Sequence, residues 1–330
     1  MLSSRRFSLN RRQFGASLAP AGLAAQRAAE RPNILLILSD DHTAEFTGCY
    51  GNPTIHTPNL DRFAAGGMRF TRFFCSAPQC VPSRAAYLTG RSPVAVRMGR
   101  FTSPLPPDVT TLPELLRAEA GYFTGICRRQ FHLDGAPGPN SKATYDKYHL
   151  QTFDKRVDYL DRSSPREMTG QRVNEFFDRR PVGRPYFLWV NFDDPHHPWD
   201  EIPNGIDAKK LRVPNFLPDL PGVREDLRRY YDEVQRMDGE FQLVLDTVSR
   251  RAGLENTLIL FAGDNGFPFP HGKGTLYEPG LNVPFILSWP GSYVLQSSTN
   301  VAGPYEDIVP ATSPFTNSIA PAGNCFFRLR

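Results

Sequence analysis

The stretch Asn33-Ile34-Leu35-Leu36-Ile37-Leu38-Ser39-Asp40-Asp41 joins an unbroken apolar run to two adjacent carboxylates. A strand with one wet face alternates apolar and polar residues, so a run without alternation reads as a strand buried on both faces. Similar runs recur at 186–192, 257–262 and 283–289, with a shorter one at Phe123–Cys127. Between them, Val223, Leu227, Tyr230, Val234, Met237, Phe241, Leu245 and Val248 follow helical steps of three and four, and 112–120 and 168–177 read as shorter helices. Strands alternating with helices predict an α/β fold whose largely parallel central sheet is sandwiched by helices. Such sheets bind ligands beyond the carboxyl ends of their strands. No internal repeat is evident.

A chain of 330 residues with 40% hydrophobic and 12% aromatic content can bury one large core. Its 31 prolines and 26 glycines predict many ordered loops. The formal charge of +4 is concentrated at the N-terminus, where residues 1–31 hold six arginines against one acid, Glu30. The remainder is close to neutral and has no basic run, which argues against nucleic-acid binding. Asn10, Arg11, Arg12, Gln13 and Phe14 precede a mildly apolar small-residue stretch at 15–25. Residues 1–30 therefore look like a twin-arginine export signal, with a frayed basic tail as the alternative. Export predicts a periplasmic or extracellular location, and no run approaches the length of a stable membrane span. The five cysteines show neither zinc spacing nor a dense disulfide pattern, and an odd count leaves at least one thiol unpaired.

Two strand ends deliver hard oxygen donors: Asp40 and Asp41 after the first run, and Asp264 with Asn265 after the run ending at Ala262. Three carboxylates and an amide oxygen suit calcium or magnesium better than zinc, although each pair taken alone also fits a solvated turn or helix cap. The most specific segment is Cys80-Val81-Pro82-Ser83-Arg84, which continues through Ala85, Ala86, Tyr87 and Leu88 as a helix with Pro82 in its first turn. A thiol at a helix N-terminus is favoured as an anion and sits where backbone N–H groups hold an anionic substrate. On these residues alone Cys80 is either a nucleophile or a buried structural cysteine.

That segment resembles the signature by which sulfatases have a cysteine converted to formylglycine. The flanking chain agrees, from Pro32, Asn33, Asp40 and Asp41, through Thr57, Pro58, Asn59, Leu60 and Asp61, to Leu88, Thr89, Gly90 and Arg91. Several motifs in order outweigh one, and the likeness extends over about residues 31–310. It implies the alkaline-phosphatase-like fold and a catalytic domain over 31–310. Within the family the likeness is nearest the heparan N-sulfatase (sulfamidase) branch and its bacterial relatives. It is carried by 193–196, by 213–238 ending in Arg236, Met237 and Asp238, and by 264–280. In the last, Asp264-Asn265-Gly266 runs into Pro268, Phe269, Pro270, Lys273, Leu276, Tyr277 and Pro279.

The resemblance implies hydrolysis of a sulfated saccharide, with a formylglycine-generating enzyme as a partner. Cys80 becomes an aldehyde whose hydrate attacks sulfur in line while a calcium ion polarises the sulfate oxygens. Its ligands would be Asp40, Asp41, Asp264, Asn265 and the modified Cys80. By the same likeness His196 protonates the leaving atom, His132 accepts the proton that releases sulfate, and Arg84 and Lys273 hold the aldehyde hydrate and the sulfate oxygens. Imidazole suits both proton transfers because its ordinary pKa lies near neutrality. His197 adjoins His196, so that assignment can slip by one. Many sulfatases carry a lysine shortly before the histidine that matches His132; this chain offers Arg128 and Arg129, of which Arg129 is the expected counterpart.

Two other readings stay open: a phosphate or phosphonate ester hydrolase of similar fold, and a catalytically silent saccharide-binding remnant. Sulfatases continue into a smaller C-terminal subdomain, which this sequence does not match. Residues 306–309 read as the start of a helix, and 311–330 as an atypical tail without periodicity. An uncovered sheet edge would follow, predicting low thermal stability.

Overall fold

A computed structural model describes residues 31–135, 140–162, 164–202 and 205–289, together with 295–298, 304, 306–307 and 326–329. The export-signal reading of residues 1–30 and most of the tail lie outside the described residues. In chain order the elements are β1 (Asn33–Ser39), α1 (Pro58–Ala65), β2 (Met68–Arg69), α2 (Cys80–Thr89), α3 (Leu112–Ala120), β3 (Phe123–Cys127), α4 (Lys142–Tyr148), β4 (Tyr159–Asp161) and α5 (Thr169–Arg179). There follow β5 (Tyr186–Asn191), α6 (Pro221–Ala252), β6 (Thr257–Gly263), α7 (Glu278–Leu281), β7 (Phe285–Ser288), β8 (Leu295–Ser298), β9 (Glu306–Asp307) and β10 (Phe326–Leu329).

The main sheet has the order β2-β7-β6-β1-β5-β3-β4. Strands β6, β1, β5, β3 and β4 are mutually parallel, while β7 runs antiparallel to β6 and β2 pairs antiparallel with β7 at that edge. The apolar run that opens the chain is thus the central strand, and its side chains divide between two cores. Leu35 and Ile37 join Leu188, Val190 and Phe261 on the α6 face, and Leu36 and Leu38 join Phe187, Trp189 and Ala262 on the α2 face. Six of the eight helical-step positions in α6 are fully buried, and Val223 and Leu245 pack at the margin of the same core. Burial of each such large side chain contributes about 1.5–3 kcal/mol.

Two stretches that carried the family likeness meet here. The Asp238 carboxylate of α6 accepts the Asn59 and Leu60 N–H groups at 3.1 and 2.8 Å, capping α1 with a side chain from a distant element.

One expectation about the end of the chain is corrected. Glu306 and Asp307 form β9, not the first turn of a helix, because their backbone pairs with Gln296 and Ser297 of β8. The tail also holds regular structure, since β10 pairs antiparallel with β8 in a separate three-stranded sheet. Among the described residues no helix is long and apolar enough to cross a membrane.

Candidate active site

Parallel pairing brings every chemically suggestive strand end to one edge of the sheet. Leu38 is in register with Asn191 on one side and Ala262 on the other, so Asp40 and Asp41, Asp264 and Asn265, and the 191–196 loop emerge together. β3 ends one strand further on and delivers Arg128, Arg129 and His132. The N-terminus of α2 closes the ring with Cys80, whose Sγ lies 3.2 Å from Asp40 Oδ1 and 3.7 Å from Asp41 Oδ1.

Asp40, Asp41 and Asp264 are buried side by side, and three cations face them. Arg84, wholly buried, places Nε 2.9 Å from Asp264 and Nη2 3.1 Å from Asp40, and its Nη1 donates to Asn191 Oδ1. Arg129 Nε lies 2.9 Å from Asp40, and Lys273 Nζ 2.7 Å from Asp41. His132 Nδ1 is 3.1 Å from Asp40, and His196 Nε2 is 3.6 Å from Asp41. All ten expected site positions therefore converge. His197 is exposed, which leaves His196 as the imidazole of that pair near the acids. Arg129 enters the pocket, whereas Arg128 turns into the core.

Charge sets the protonation states. Burial would raise Asp40, but Arg129, Arg84 and His132 together hold it well below the usual carboxylate range. Burial and the charge of Asp40 push Asp41 to about 6 against the pull of Lys273, and push Asp264 to about 6 against Arg84. Two sequence expectations change. Burial, followed by the charges of Asp40, Asp264 and Asp41, pushes the Cys80 thiol well above its ordinary value, so the helix N-terminus does not make it an anion. Burial also outweighs Asp40 at His132, which falls to about 3, and it lowers His196 from its ordinary value.

The donor set fits a hard divalent cation. Three carboxylates converge, and the Asn265 Oδ1 is buried without a hydrogen-bond partner while its Nδ2 donates to Asp41 at 2.8 Å. An orphaned amide oxygen beside clustered carboxylates is what an oxygen-preferring ion would satisfy. Ligand atoms of Asp40, Cys80, His132 and Asp264 lie within 4.8 Å of one another, as do those of Asp40, Asp41, Cys80 and His196. The four described cysteines, Cys49, Cys75, Cys80 and Cys127, are free.

The surroundings add contacts that the sequence did not reveal. Arg236 of α6 grips Asp194 with two bonds of 2.8 Å, anchoring the loop that carries His196. Ser83 donates to the Asp264 carbonyl, fixing α2 against β6. Arg128 and Arg129 both adopt positive φ, +65° and +44°, a conformation costing about 1–2 kcal/mol per residue that sends neighbouring side chains apart. No local pattern marks such contacts in advance.

One stability prediction arises at the loop carrying His132. Asp134 is fully buried; its Oδ2 accepts the Phe153 N–H at 2.8 Å and its Oδ1 has no partner. Burial pushes it from 3.8 to about 6. A raised carboxyl stabilises the fold below its unfolded value, and that contribution is lost as pH rises through the folded one. Asp134→Asn keeps the acceptor and removes the buried charge. The variant is expected to exceed the wild type by about 2 kcal/mol at pH 8 and by little at pH 4. Parallel denaturant melts across that range check this, and a difference independent of pH would refute it.

Comparison with known proteins bears on this geometry. A family model described as "Sulfatase" matches residues 32–316. N-acetylgalactosamine-6-sulfatase of Canis lupus familiaris is 31% identical over 93% of this chain and 65% of its own length. N-sulphoglucosamine sulphohydrolase of Homo sapiens is also 31% identical, over 78% of this chain and 55% of its own. Equal identity to two different subtypes leaves no clear nearest relative, in place of the expected single likeness to sulfamidase. The chain spans less than two thirds of the length of these relatives. Among solved structures, the phosphonate monoester hydrolase of Agrobacterium radiobacter superposes with a TM-score of 0.60 at 20% identity, covering 79% of this chain and 68% of that one.

Proposed function

The chain belongs to the sulfatase family, within the alkaline-phosphatase-like superfamily, and on that premise we propose that it hydrolyses a sulfate group from a saccharide through a formylglycine formed at Cys80. One observation carries the reading: a fully buried Cys80 faces three carboxylates and an orphaned amide oxygen at the carboxyl edge of the sheet. A thiol so placed stays protonated and is a poor nucleophile, whereas an uncharged aldehyde at the same Cβ needs no deprotonation to be accommodated.

When bound, a calcium ion would neutralise the carboxylates and polarise the sulfate oxygens as a Lewis acid, and Asp40, Asp41, Asp264 and Asn265 would hold it together with residue 80. The protein's own residues divide the remaining work. Arg84, wholly buried with all its contacts on Asp40, Asp264 and Asn191, keeps the acids in place. Lys273 and Arg129, with side chains 24% and 12% exposed, face the pocket and donate to sulfate oxygens as charge grows on them. His132, neutral and held by Asp40, accepts the proton from residue 80. His196, 29% exposed, stands toward the mouth, where an arriving anion raises its pKa and equips it to protonate the leaving atom.

Likeness of the 264–280 loop to the sulfamidase branch favours a sulfated amino sugar of a glycosaminoglycan such as heparan sulfate. The twin-arginine pattern at Arg11 and Arg12 supports export of the folded protein, with a formylglycine-generating enzyme acting before folding hides Cys80. The fold of a phosphonate hydrolase motivates the second reading, a phosphate or phosphonate ester substrate. Side-by-side assays of a sulfate ester, an N-sulfated glucosamine and a phosphate monoester test the choice, with mass spectrometry of the Cys80 peptide. Aldehyde at position 80 with faster turnover of either sulfated compound is expected; faster phosphate release would transfer the assignment to the second reading.

A further inference from the structure

We propose that Asp193, Arg128 and Glu240 form a charge chain that positions Arg129, so that a carboxylate on α6, outside the pocket, sets the placement of a guanidinium inside it. The inference rests on the sulfate-hydrolase reading.

Arg128 is fully buried, and its Nη1 donates to Thr169 Oγ1 at 2.6 Å and to the Glu240 carboxylate. Thr169 donates in turn to the same Glu240 oxygen at 2.6 Å, which fixes that carboxylate between two elements. The other end of the Arg128 fork holds Asp193 Oδ2, while Asp193 Oδ1 accepts from Arg129 Nη1 at 2.9 Å. Arg129 then reaches Asp40 through Nε at 2.9 Å and stands 3.3 Å from His132 Nε2.

Each link is needed by the next. The Asp193 side chain is 35% exposed and would be free to swing in water without a buried partner. Asp193 accepts a hydrogen bond from Arg129 Nη1 while Asp40 attracts Nε as an ion-pair partner without an aligned hydrogen bond, so Asp193 supplies the directional carboxylate contact that orients the guanidinium. The Arg128–Glu240 pair gives little stability that an apolar pair of the same volume would not, so its use lies in geometry. Consecutive positive φ values at Arg128 and Arg129 complete the device, sending one side chain to α6 and the next to the pocket. Asn191 Nδ2 ties down the Arg128 carbonyl at 3.0 Å at this turn.

The test uses the full aldehyde-bearing chain with 4-nitrophenyl sulfate, comparing Glu240→Gln, Asp193→Asn and the double variant. A displacement near the reacting groups costs on the order of 10- to 100-fold, so each single variant is expected to lose at least about tenfold in kcat. KM should change by less than about twofold, since Arg129 acts on charge developed in the transition state. The double variant should be no slower than the slower single, because both cut one chain. A lower melting temperature with unchanged kcat per folded molecule would overturn the proposal, as would a raised KM at full kcat. Should Asp193→Asn fail to fold, Arg128→Lys, which keeps the charge and loses the fork, takes its place with the same expected loss. A wild type inert toward the sulfate ester would overturn the hydrolase reading instead. The positioning claim is then decided by calorimetry with inorganic sulfate, a dianion that already carries the oxygen charge a sulfate ester develops only in the transition state: about tenfold weaker binding in Glu240→Gln supports it, and equal affinity overturns it.

Discussion

Replacing Cys80 with alanine is expected to lower kcat for sulfate-ester hydrolysis by at least about 10⁴-fold, and the unmodified cysteine form should be equally inert. The second half follows from the pocket's charge. Sγ is fully buried, 3.2 Å from a carboxylate that Arg129, Arg84 and His132 hold ionised, with two more acids beside it. Burial and these charges push the thiol well above its ordinary value and favour its protonated form. A protein produced without the modifying enzyme should therefore fold and melt within a few degrees of the aldehyde form, since the change at residue 80 is a few atoms in a preformed site. Alanine leaves a small cavity costing about 1 kcal/mol. The comparison needs three preparations: aldehyde, cysteine and Cys80→Ala, assayed for turnover and for iodoacetamide sensitivity. A cysteine form that turns over the ester, and loses that activity on alkylation, would show thiolate chemistry and end the formylglycine reading.

The central sheet was legible because strands buried on both faces leave continuous apolar runs, and β1, β3, β5 and β6 fall within a residue of the expected bounds. What sequence could not give was the partner of each run. The run at 283–289 shortened to Phe285–Ser288 and turned antiparallel to β6, a direction that an apolar run by itself does not encode. Strands β2 and β4, of two and three residues, are too short for any periodicity. At the site the pattern is similar. Asp40, Asp41, Asp264 and Asn265 were visible because each pair ends a strand, and Cys80 because a helix begins there. Asp193, Thr169 and Glu240 were not, since their meeting depends on α5 and α6 packing beside the end of β3 and on a backbone reversal at Arg128 and Arg129. Ionisation was the least legible property of all. The helix N-terminus argued for a thiolate at Cys80, and burial, together with three carboxylates contributed by other elements, reversed that sign.

The same crowding makes calcium the strongest expected ligand effect. Three buried acids meet in one pocket, and two of them, Asp41 and Asp264, resist ionisation because of burial and the charge of Asp40. A divalent ion would relieve that repulsion and occupy the orphaned Asn265 Oδ1. An ion bound only by the folded state at 100 times its Kd stabilises by about 2.7 kcal/mol, which for a domain of this size raises Tm by about 5–10 °C. Chelation should therefore lower Tm by that amount and abolish turnover, with calcium restoring both. Magnesium should restore less, because it demands near-ideal octahedral geometry at shorter distances and gives up its waters reluctantly to a cluster of protein carboxylates. Asp41→Asn separates ligation from folding. Asp41 sits at φ +60°, where asparagine is among the few residues accommodated without a large penalty, and its loss of charge lightens the repulsion. The variant's calcium-free Tm should equal or exceed that of the wild type, while its calcium-induced rise should shrink to about a third or less. A variant that melts lower without calcium yet keeps the full rise would show that Asp41 serves the fold and Lys273 rather than the ion, and the four-oxygen site would then have to be drawn without it.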